Sequence, residues 1–314
     1  MVPSPPASEP DNASMAALFV TGTTGFVGRA LIERIAARND VTVTALVRRM
    51  PAVPGGSAVR YVQGDLLGSD GWRSDLEGTD TVLHMAAATG KLPRATIHRV
   101  NADATERLLE LARLTRVERF LFVSSIAAKF ADAPHYHYAA SKRAAERMVL
   151  DSPLHTLIVR PTMVLGRGSP IGRKLRMLAT SPVMPVFGDG HARIQPVHVD
   201  DLAAMLLDLA TSDVFDGRIV EAGGPDAIEI ETFLRTVRRA VRGADGTALH
   251  VPAGPLRAVL AIVERVSVNL VPFTAGQLAS FTNDGTVDPR HAYRGPVEPR
   301  HGIGSIVDET AGDA

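Results

Sequence analysis

The chain has 314 residues, enough for about two domains or one large α/β unit with a sizeable core. Its 34 basic and 34 acidic side chains cancel, which gives no electrostatic case for nucleic acid or an anionic membrane as partner. With no cysteine, disulfides, thiolate metal ligands, iron–sulfur ligation and cysteine nucleophiles are all excluded, and a cytoplasmic setting is the default.

Residues 1–14 are rich in proline and serine, carry Glu9 and Asp11, and have neither a basic start nor an apolar run. They read as a disordered tail rather than a signal peptide, with Met15 as an alternative start. A short apolar strand follows at 17–20, then a helix with Val27, Leu31, Ile32 and Ile35 on one face. The β-branched run 41–47 is a second strand, and further strands are expected at 59–62, 81–85, 120–124 and 156–159. Helical periodicity covers 102–114 and 139–150. Fully apolar strands alternating with helices predict a parallel sheet covered on both faces.

Beyond Arg160-Pro161 the pattern loosens, with glycine and proline punctuating 166–190. A strand at 196–199 and a helix at 200–210 return to the earlier style, and helices and loops follow from about 223. The tract 251–271 is interrupted by Pro252, Pro255, Arg257, Glu264 and Arg265. It reads as an amphipathic helix over 255–266, not a membrane span.

Thr21-Gly22-Thr23-Thr24-Gly25-Phe26-Val27-Gly28 joins the first strand to the first helix. Gly22 permits the tight turn, Gly25 lets backbone approach a pyrophosphate, and Gly28 lets the helix pack on the strand. The helix N-terminus adds N–H donors and a favourable dipole. The placement predicts dinucleotide binding through Gly22, Thr24, Gly25, Phe26, Val27 and Gly28. The second strand ends Leu46-Val47-Arg48-Arg49, with no acid where an NAD site carries one about 20 residues on. Arg48 suits a 2′-phosphate instead, so NADP(H) is expected over NAD(H).

Tyr138-Ala139-Ala140-Ser141-Lys142 puts a phenol and an ammonium on one helix face. A nearby ammonium favours the phenolate and brings a phenol, ordinarily near pKa 10, closer to neutrality. Just upstream, Phe120-Leu121-Phe122-Val123-Ser124-Ser125 is a strand ending in hydroxyls. Tyr136 has alanine, not lysine, four residues on, and His135 and His137 lack a third ligand at suitable spacing, so no metal site is expected. Gly166-Arg167-Gly168 with Gly172 lacks the Lys-Ser/Thr of a P-loop.

Together these segments resemble the extended and atypical short-chain dehydrogenase/reductase superfamily, the NAD-dependent epimerase/dehydratase family, whose fingerprint is TGxxGxxG. The resemblance runs from about residue 17 to 222 and implies a Rossmann-type doubly wound sheet. The binding domain is expected from 15–165 and 194–222, and a smaller, discontinuous substrate lobe from 166–193 and 223–314. The resemblance also implies roles. Ser125, not Ser124, bonds the substrate oxygen, while Ser124 bonds backbone. Tyr138 exchanges the proton, and Lys142 lowers its pKa and holds the nicotinamide ribose. Asn101, in a segment where Ala104 replaces the family's glycine, orders water near Lys142. Asp65 and Leu66 lie beside adenine, Ala86 and Ala87 beside the phosphates and ribose, and Pro161 and Met163 beside the nicotinamide amide. His84 is structural, and Asp200 of Val197-His198-Val199-Asp200-Asp201-Leu202-Ala203 caps a helix.

Two departures argue against a nucleotide-sugar substrate. Ile194 stands where such enzymes carry an arginine for the diphosphate, and Ile126-Ala127-Ala128 replaces a Val-Tyr-Gly segment in a shorter loop. The Gln195–Asp201 wording, with Pro272-Phe273-Thr274 and Gln277-Leu278, looks like the atypical branch that includes complex I accessory subunits. The expected function is an NADP(H)-dependent oxidoreductase, of EC 1.1.1 type, interconverting a carbonyl and an alcohol. Met163, Val164 and Phe187 point to a small, largely apolar substrate as its partner. The alternatives are an epimerase or dehydratase with bound NAD(P), and a non-catalytic NADP(H)-binding assembly or sensor protein. No nucleic acid and no membrane insertion are expected, and homodimerisation stays open.

Overall fold

A computed structural model describes residues 15–52, 56–266, 271 and 273–312; the tail 1–14 and Pro272 lie outside the described residues. The first half alternates as expected: β1 (Ala16–Thr21), α1 (Phe26–Ile35), β2 (Val41–Val47), β3 (Val59–Gln63), β4 (Thr81–His84), α2 (Arg94–His98), α3 (Ala104–Leu114), β5 (Arg119–Val123), α4 (His137–Leu150) and β6 (His155–Pro161). Then come β7 (Val164–Leu165), α5 (Pro170–Ala179), β8 (Met184–Phe187), β9 (Arg193–Ile194), β10 (Val197–His198), α6 (Val199–Thr211) and β11 (Ile219–Ala222).

Seven parallel strands form one sheet in the order β11-β6-β5-β4-β1-β2-β3. The chain winds outward from β1 through β2 and β3, then returns to β4 on the other side. That reversal leaves a crevice at the carboxyl ends of β1 and β4, where Thr21 pairs with His84. Alternate residues serve opposite faces. Leu18, Val20, Leu83, Leu121 and Leu157 pack toward α1 and α6. Phe19, Val82, Phe120, Phe122 and Ile158 pack toward α3 and α4. Burial on both faces is why the strands are apolar throughout instead of alternating.

The remaining elements are β12 (Ile228–Glu229), α7 (Ile230–Arg242), β13 (Ala248–Val251), α8 (Ala253–Val266), α9 (Ala279–Thr282) and α10 (Ile303–Gly312). A second core joins Leu175, Leu178, Phe233, Val237, Phe281 and Ile306 from α5, α7, α9 and α10. β9 pairs antiparallel with β12, so Ile194 packs into this lobe, while β10 two residues on pairs with β7. Residues 286–297 return to the sheet domain. Glu221 N–H donates to His291 O at 2.7 Å, Tyr293 N–H to Glu221 O at 3.0 Å, and Tyr293 Oη to Asp208 Oδ2 at 2.7 Å. No helix among the described residues is long and apolar enough to cross a membrane.

Two local expectations are corrected. The helix expected at 102–114 starts at Arg94 and passes through a π turn, Arg99–Asp103, that contains Asn101. π turns in helices are rare and concentrate at functional sites. The strand expected at 196–199 ends at His198, so α6 starts one residue early and His198, not Asp200, caps it: His198 Nδ1 accepts the Asp200 N–H at 3.2 Å. Asp201 is drawn away to the 300s, accepting N–H bonds from Arg300 at 3.1 Å and His301 at 3.0 Å.

Candidate functional site

The crevice begins at the glycine turn. Gly22 has φ +83°, and a Cβ on it would lie 2.7 Å from Ala86 N. A Cβ on Gly28 would strike the Gly22 carbonyl and Thr23 backbone, so α1 can sit this close to β1 only with glycine there. No side chain caps α1, which begins from Gly25 in an extended conformation. Its first-turn N–H groups at Phe26, Val27 and Gly28 are therefore open to an anion. Thr23 Oγ1 is buried without a partner beside them. An orphaned hydroxyl, an uncapped helix start and a cradle that any Cβ would fill together fit a pyrophosphate.

The cradle continues into a cleft of about 1070 Å³ walled by Thr23, Thr24, Arg29, Arg48, Arg49 and Tyr61. Arg29 Nη1 donates to Thr24 O at 3.0 Å. Arg48 and Arg49 are exposed, and neither is ion-paired with a described carboxylate. On the other side, Asp65 Oδ1 accepts the Leu67 N–H at 2.9 Å, which shapes the turn carrying Leu66. Ala86 N–H donates to Thr21 Oγ1 at 3.2 Å, and Ala87 beside it is exposed. His84 is wholly buried, its ring nitrogens 2.7 Å from Thr21 Oγ1 and 3.0 Å from Thr105 Oγ1. Burial, reinforced by Lys142, pushes its pKa down to about 3, so it is a neutral structural link.

Past β5, Ser125 caps a short 3₁₀ turn, its Oγ accepting the Ala127 N–H at 3.2 Å. Tyr138 stands on the first turn of α4, and both side chains line one cavity with Pro170, Thr162 and Met163. Burial drives the Tyr138 phenol well above its ordinary pKa, with Tyr136 adding to the rise and the Ser125 hydroxyl opposing it. Lys142, one turn on, is 1% exposed and lies 4.5 Å from the Phe122 ring centroid. Its Nζ donates to Val123 O at 2.7 Å. The expectation that Lys142 lowers the tyrosine pKa is therefore not met in this state, because the ammonium is turned to a carbonyl and burial dominates the phenol. Burial also pushes Lys142 down to about 7, while Glu146 a further turn on favours its charge.

Asn101 is buried between two walls of the site. Its Oδ1 accepts the Ala88 N–H at 2.6 Å, and its Nδ2 donates to Ala88 O at 3.0 Å and Ser141 Oγ at 2.9 Å. Both amide hydrogens are thus used in tying the loop after β4 to α4, and no bond reaches Lys142. Ser124 also departs from expectation. Its N–H completes the sheet to Val159 O at 2.7 Å, but its buried hydroxyl bonds nothing, backbone included. Strand alternation sends it to the side opposite Ser125.

Behind α4 lies a buried charge array. Glu146 takes Arg160 Nε at 2.8 Å and Nη2 at 2.7 Å. Arg160 Nη1 is 3.7 Å from Glu221 Oε1, and Glu221 Oε2 takes Lys129 Nζ at 2.7 Å. The array joins the segment after Ser125 (Lys129), the tyrosine helix (Glu146) and the strand leading into Pro161 and Met163 (Arg160).

The cavity over Ser125 and Tyr138 has a volume of about 410 Å³ and a mainly apolar wall of Leu92, Ile97, Phe130, Met163, Ile171 and Ile194. Tyr136, passed over in the sequence for want of a lysine four residues on, is part of this wall, its Oη 3.2 Å from Ser280 Oγ. Nothing local pairs residues 144 apart. His135 and His137, for which contact with substrate is the alternative to a metal, line it as well, His135 from φ +60°. Arg29 was findable, one helical turn past Gly25. Among the described residues, His198, Asp200 and His301 bring ligand atoms within 4.8 Å of one another. Three of the four ring nitrogens are already engaged: His198 with Asp200 N–H and with Glu309 Oε2 at 3.1 Å, and His301 Nδ1 with Asp201 Oδ1 at 3.0 Å. The two rings stack with centroids 3.8 Å apart. This cluster anchors the start of α6.

A profile of the NAD dependent epimerase/dehydratase family matches residues 18–223. A ceramide reductase from Caulobacter vibrioides is 36% identical over 191 residues, 60% of this chain and 59% of that protein's length. A ketoreductase from Stigmatella aurantiaca acting on 4-hydroxy-2-methyl-3-oxo-4-farnesyl-3,4-dihydroquinoline-1-oxide is 28% identical over 277 residues, 81% of each chain. Among solved structures, a UDP-glucuronic acid 4-epimerase from Bacillus cereus in complex with NAD superposes with a TM-score of 0.62 at 20% identity, covering 75% of this chain and 87% of that one. This last likeness is one of fold.

Proposed function

The chain belongs to the NAD-dependent epimerase/dehydratase family, and within it we propose that it is an NADP(H)-dependent oxidoreductase interconverting a carbonyl and an alcohol on a largely apolar substrate. One observation carries this reading: Ser125 and Tyr138 open together into an apolar cavity beside a pyrophosphate cradle.

Bound NADPH would supply the hydride. The protein's task is to hold the carbonyl and manage the proton. Ser125 Oγ takes its incoming bond from Ala127 N–H, and its own O–H, directed at the Tyr138 phenol in the free protein, would turn to donate to a carbonyl oxygen. Such a donor stabilises the negative charge that grows on that oxygen. Tyr138, kept protonated by burial, then gives the oxygen a proton, and the reverse transfer serves alcohol oxidation. Val123 O occupies one of Lys142's N–H donors, and holding a ribose hydroxyl with another would require the buried side chain to turn toward the cavity. The aliphatic and aromatic wall excludes water and favours a hydrocarbon body. Ile194, 2% exposed in the lobe core, offers no grip for a diphosphate, which supports a substrate other than a nucleotide sugar. The reductase and ketoreductase relatives, the latter acting on a farnesylated quinoline, point the same way.

For the cofactor, Arg29, Arg48 and Arg49 around one cleft support the 2′-phosphate of NADP(H). The test is loss of NADPH absorbance with a panel of apolar ketones and aldehydes, run in parallel with NADH. Turnover is expected with kcat/KM for NADPH at least about tenfold above NADH, and Arg48→Ala should lower the NADPH value by about 10- to 100-fold while changing the NADH value about twofold or less. Equal use of the two cofactors, with Arg48→Ala neutral, would reject the cofactor assignment. Tight NADPH binding with no turnover on any substrate would reject the enzymatic reading in favour of a sensor.

A further inference from the structure

Lys174 differs from every other long cation on its helix. Arg173 Nη1 on α5 bonds Gly168 O at 3.0 Å, and Arg176 Nε bonds Ala311 O at 3.0 Å. Lys174, between them, turns into the cavity wall instead. It is half-buried and lies 5.4 Å from the Phe273 ring centroid. No carboxylate of a described residue lies within ion-pair distance. Glu264 also lines the cavity, but it accepts the Ala275 N–H. The charged group that Lys174 feels is another cation, Lys91, itself held on Val271 O at 2.8 Å. Burial first, and Lys91 second, hold the Lys174 pKa below its ordinary value.

A partly desolvated ammonium that faces an apolar cavity without a counter-ion is an unfavourable arrangement in the free protein. A ligand that brings its own negative charge reverses the cost and gains a charge-assisted bond. The same wall leaves the ligand's body in contact with hydrocarbon. Lys174 belongs to the lobe and the Ser125–Tyr138 pair to the sheet edge, so one ligand can present an anion to the first and a carbonyl to the second.

We infer that Lys174 recognises an anionic group (phosphate, sulfate or carboxylate) carried by an otherwise apolar substrate, making the ligand an anionic amphiphile. The carbonyl end of that description rests on the proposed function; the anionic end does not.

The test is calorimetric titration of the NADP⁺-saturated protein with three probes: octyl phosphate below its micellar concentration, octanol and inorganic phosphate. Octyl phosphate should bind about tenfold or more tighter than either fragment. Lys174→Gln should bring it to within about threefold of octanol, with octanol and NADP⁺ affinities unchanged, and Lys174→Arg should retain most of the preference. Raising NaCl should weaken octyl phosphate and spare octanol, a check needing no variant. The inference is overturned if octyl phosphate binds no tighter than octanol, if Lys174→Gln weakens both alike, if inorganic phosphate binds as tightly as octyl phosphate, or if Lys174→Gln weakens NADP⁺, in which case the lysine serves the cofactor. NADPH consumption with ketones is read separately, so failure of the anion site and failure of the reductase reading are distinguishable.

Discussion

Tyr138→Phe is expected to lower kcat for carbonyl reduction by about 10²–10⁴-fold while NADPH affinity stays within about twofold of the parent. The substitution removes one oxygen and keeps the ring, so the half-buried position and the packing against Tyr136, at 6.0 Å between centroids, are preserved. What is lost is the protonated hydroxyl beside Ser125. The Lys142 bond to Val123 O does not pass through the phenol, so the substitution leaves the lysine's position unchanged. Stopped-flow measurement of NADPH oxidation, with fluorescence titration of NADPH, separates the two quantities. Turnover unaffected by the substitution would remove Tyr138 from the chemistry; an equal loss of NADPH affinity would make it a binding residue.

Arg160→Met should produce the largest loss of stability among single changes near the site. Glu146 is 4% exposed and takes two bonds from Arg160, so removing the guanidinium strands a buried carboxylate. A buried pair broken on one side costs about 3–5 kcal/mol, whereas replacing both members by apolar groups is often close to neutral. The double variant Arg160→Met with Glu146→Leu should therefore recover most of the loss. Urea denaturation of the parent, the two single variants and the double one gives the full cycle. If the two single losses simply add in the double variant, the pair is not the coupled unit described.

Six of the seven sheet strands were legible as short apolar or β-branched runs, whereas β11, four residues interrupted by Glu221, was not. β2 was found to the residue, since Val41–Val47 lies between Asp40 and Arg48. The glycine turn was legible because Gly22 and Gly28 answer local sterics, readable from neighbouring positions. The same locality placed Tyr138 and Lys142 one turn apart on α4. Properties set by remote contacts were not legible. The π turn at Asn101 answers to Ala88 and Ser141, and the cap at His198 answers to β10 pairing with β7, which ends the strand before Asp200. Lys142's turn toward Val123 O, and the upward shift of Tyr138, follow from burial by segments far along the chain. The cavity wall is assembled from the loop after β4, α5 and residues 274–285, so its Lys174 could not be singled out from spacing alone.

In the proposed reaction this chain directs a hydride from NADPH to the carbonyl carbon of an apolar substrate, with Tyr138 supplying the proton. The most direct measurement is a single turnover with NADPH deuterated at the transferable C4 position and an apolar ketone, the product being read by mass spectrometry. One deuterium on the carbinol carbon, matched by one equivalent of NADP⁺ and formed about 10²–10⁴-fold more slowly in Tyr138→Phe, is the predicted result. Unlabelled product, or ketone recovered unchanged beside tightly bound NADPH, would contradict it.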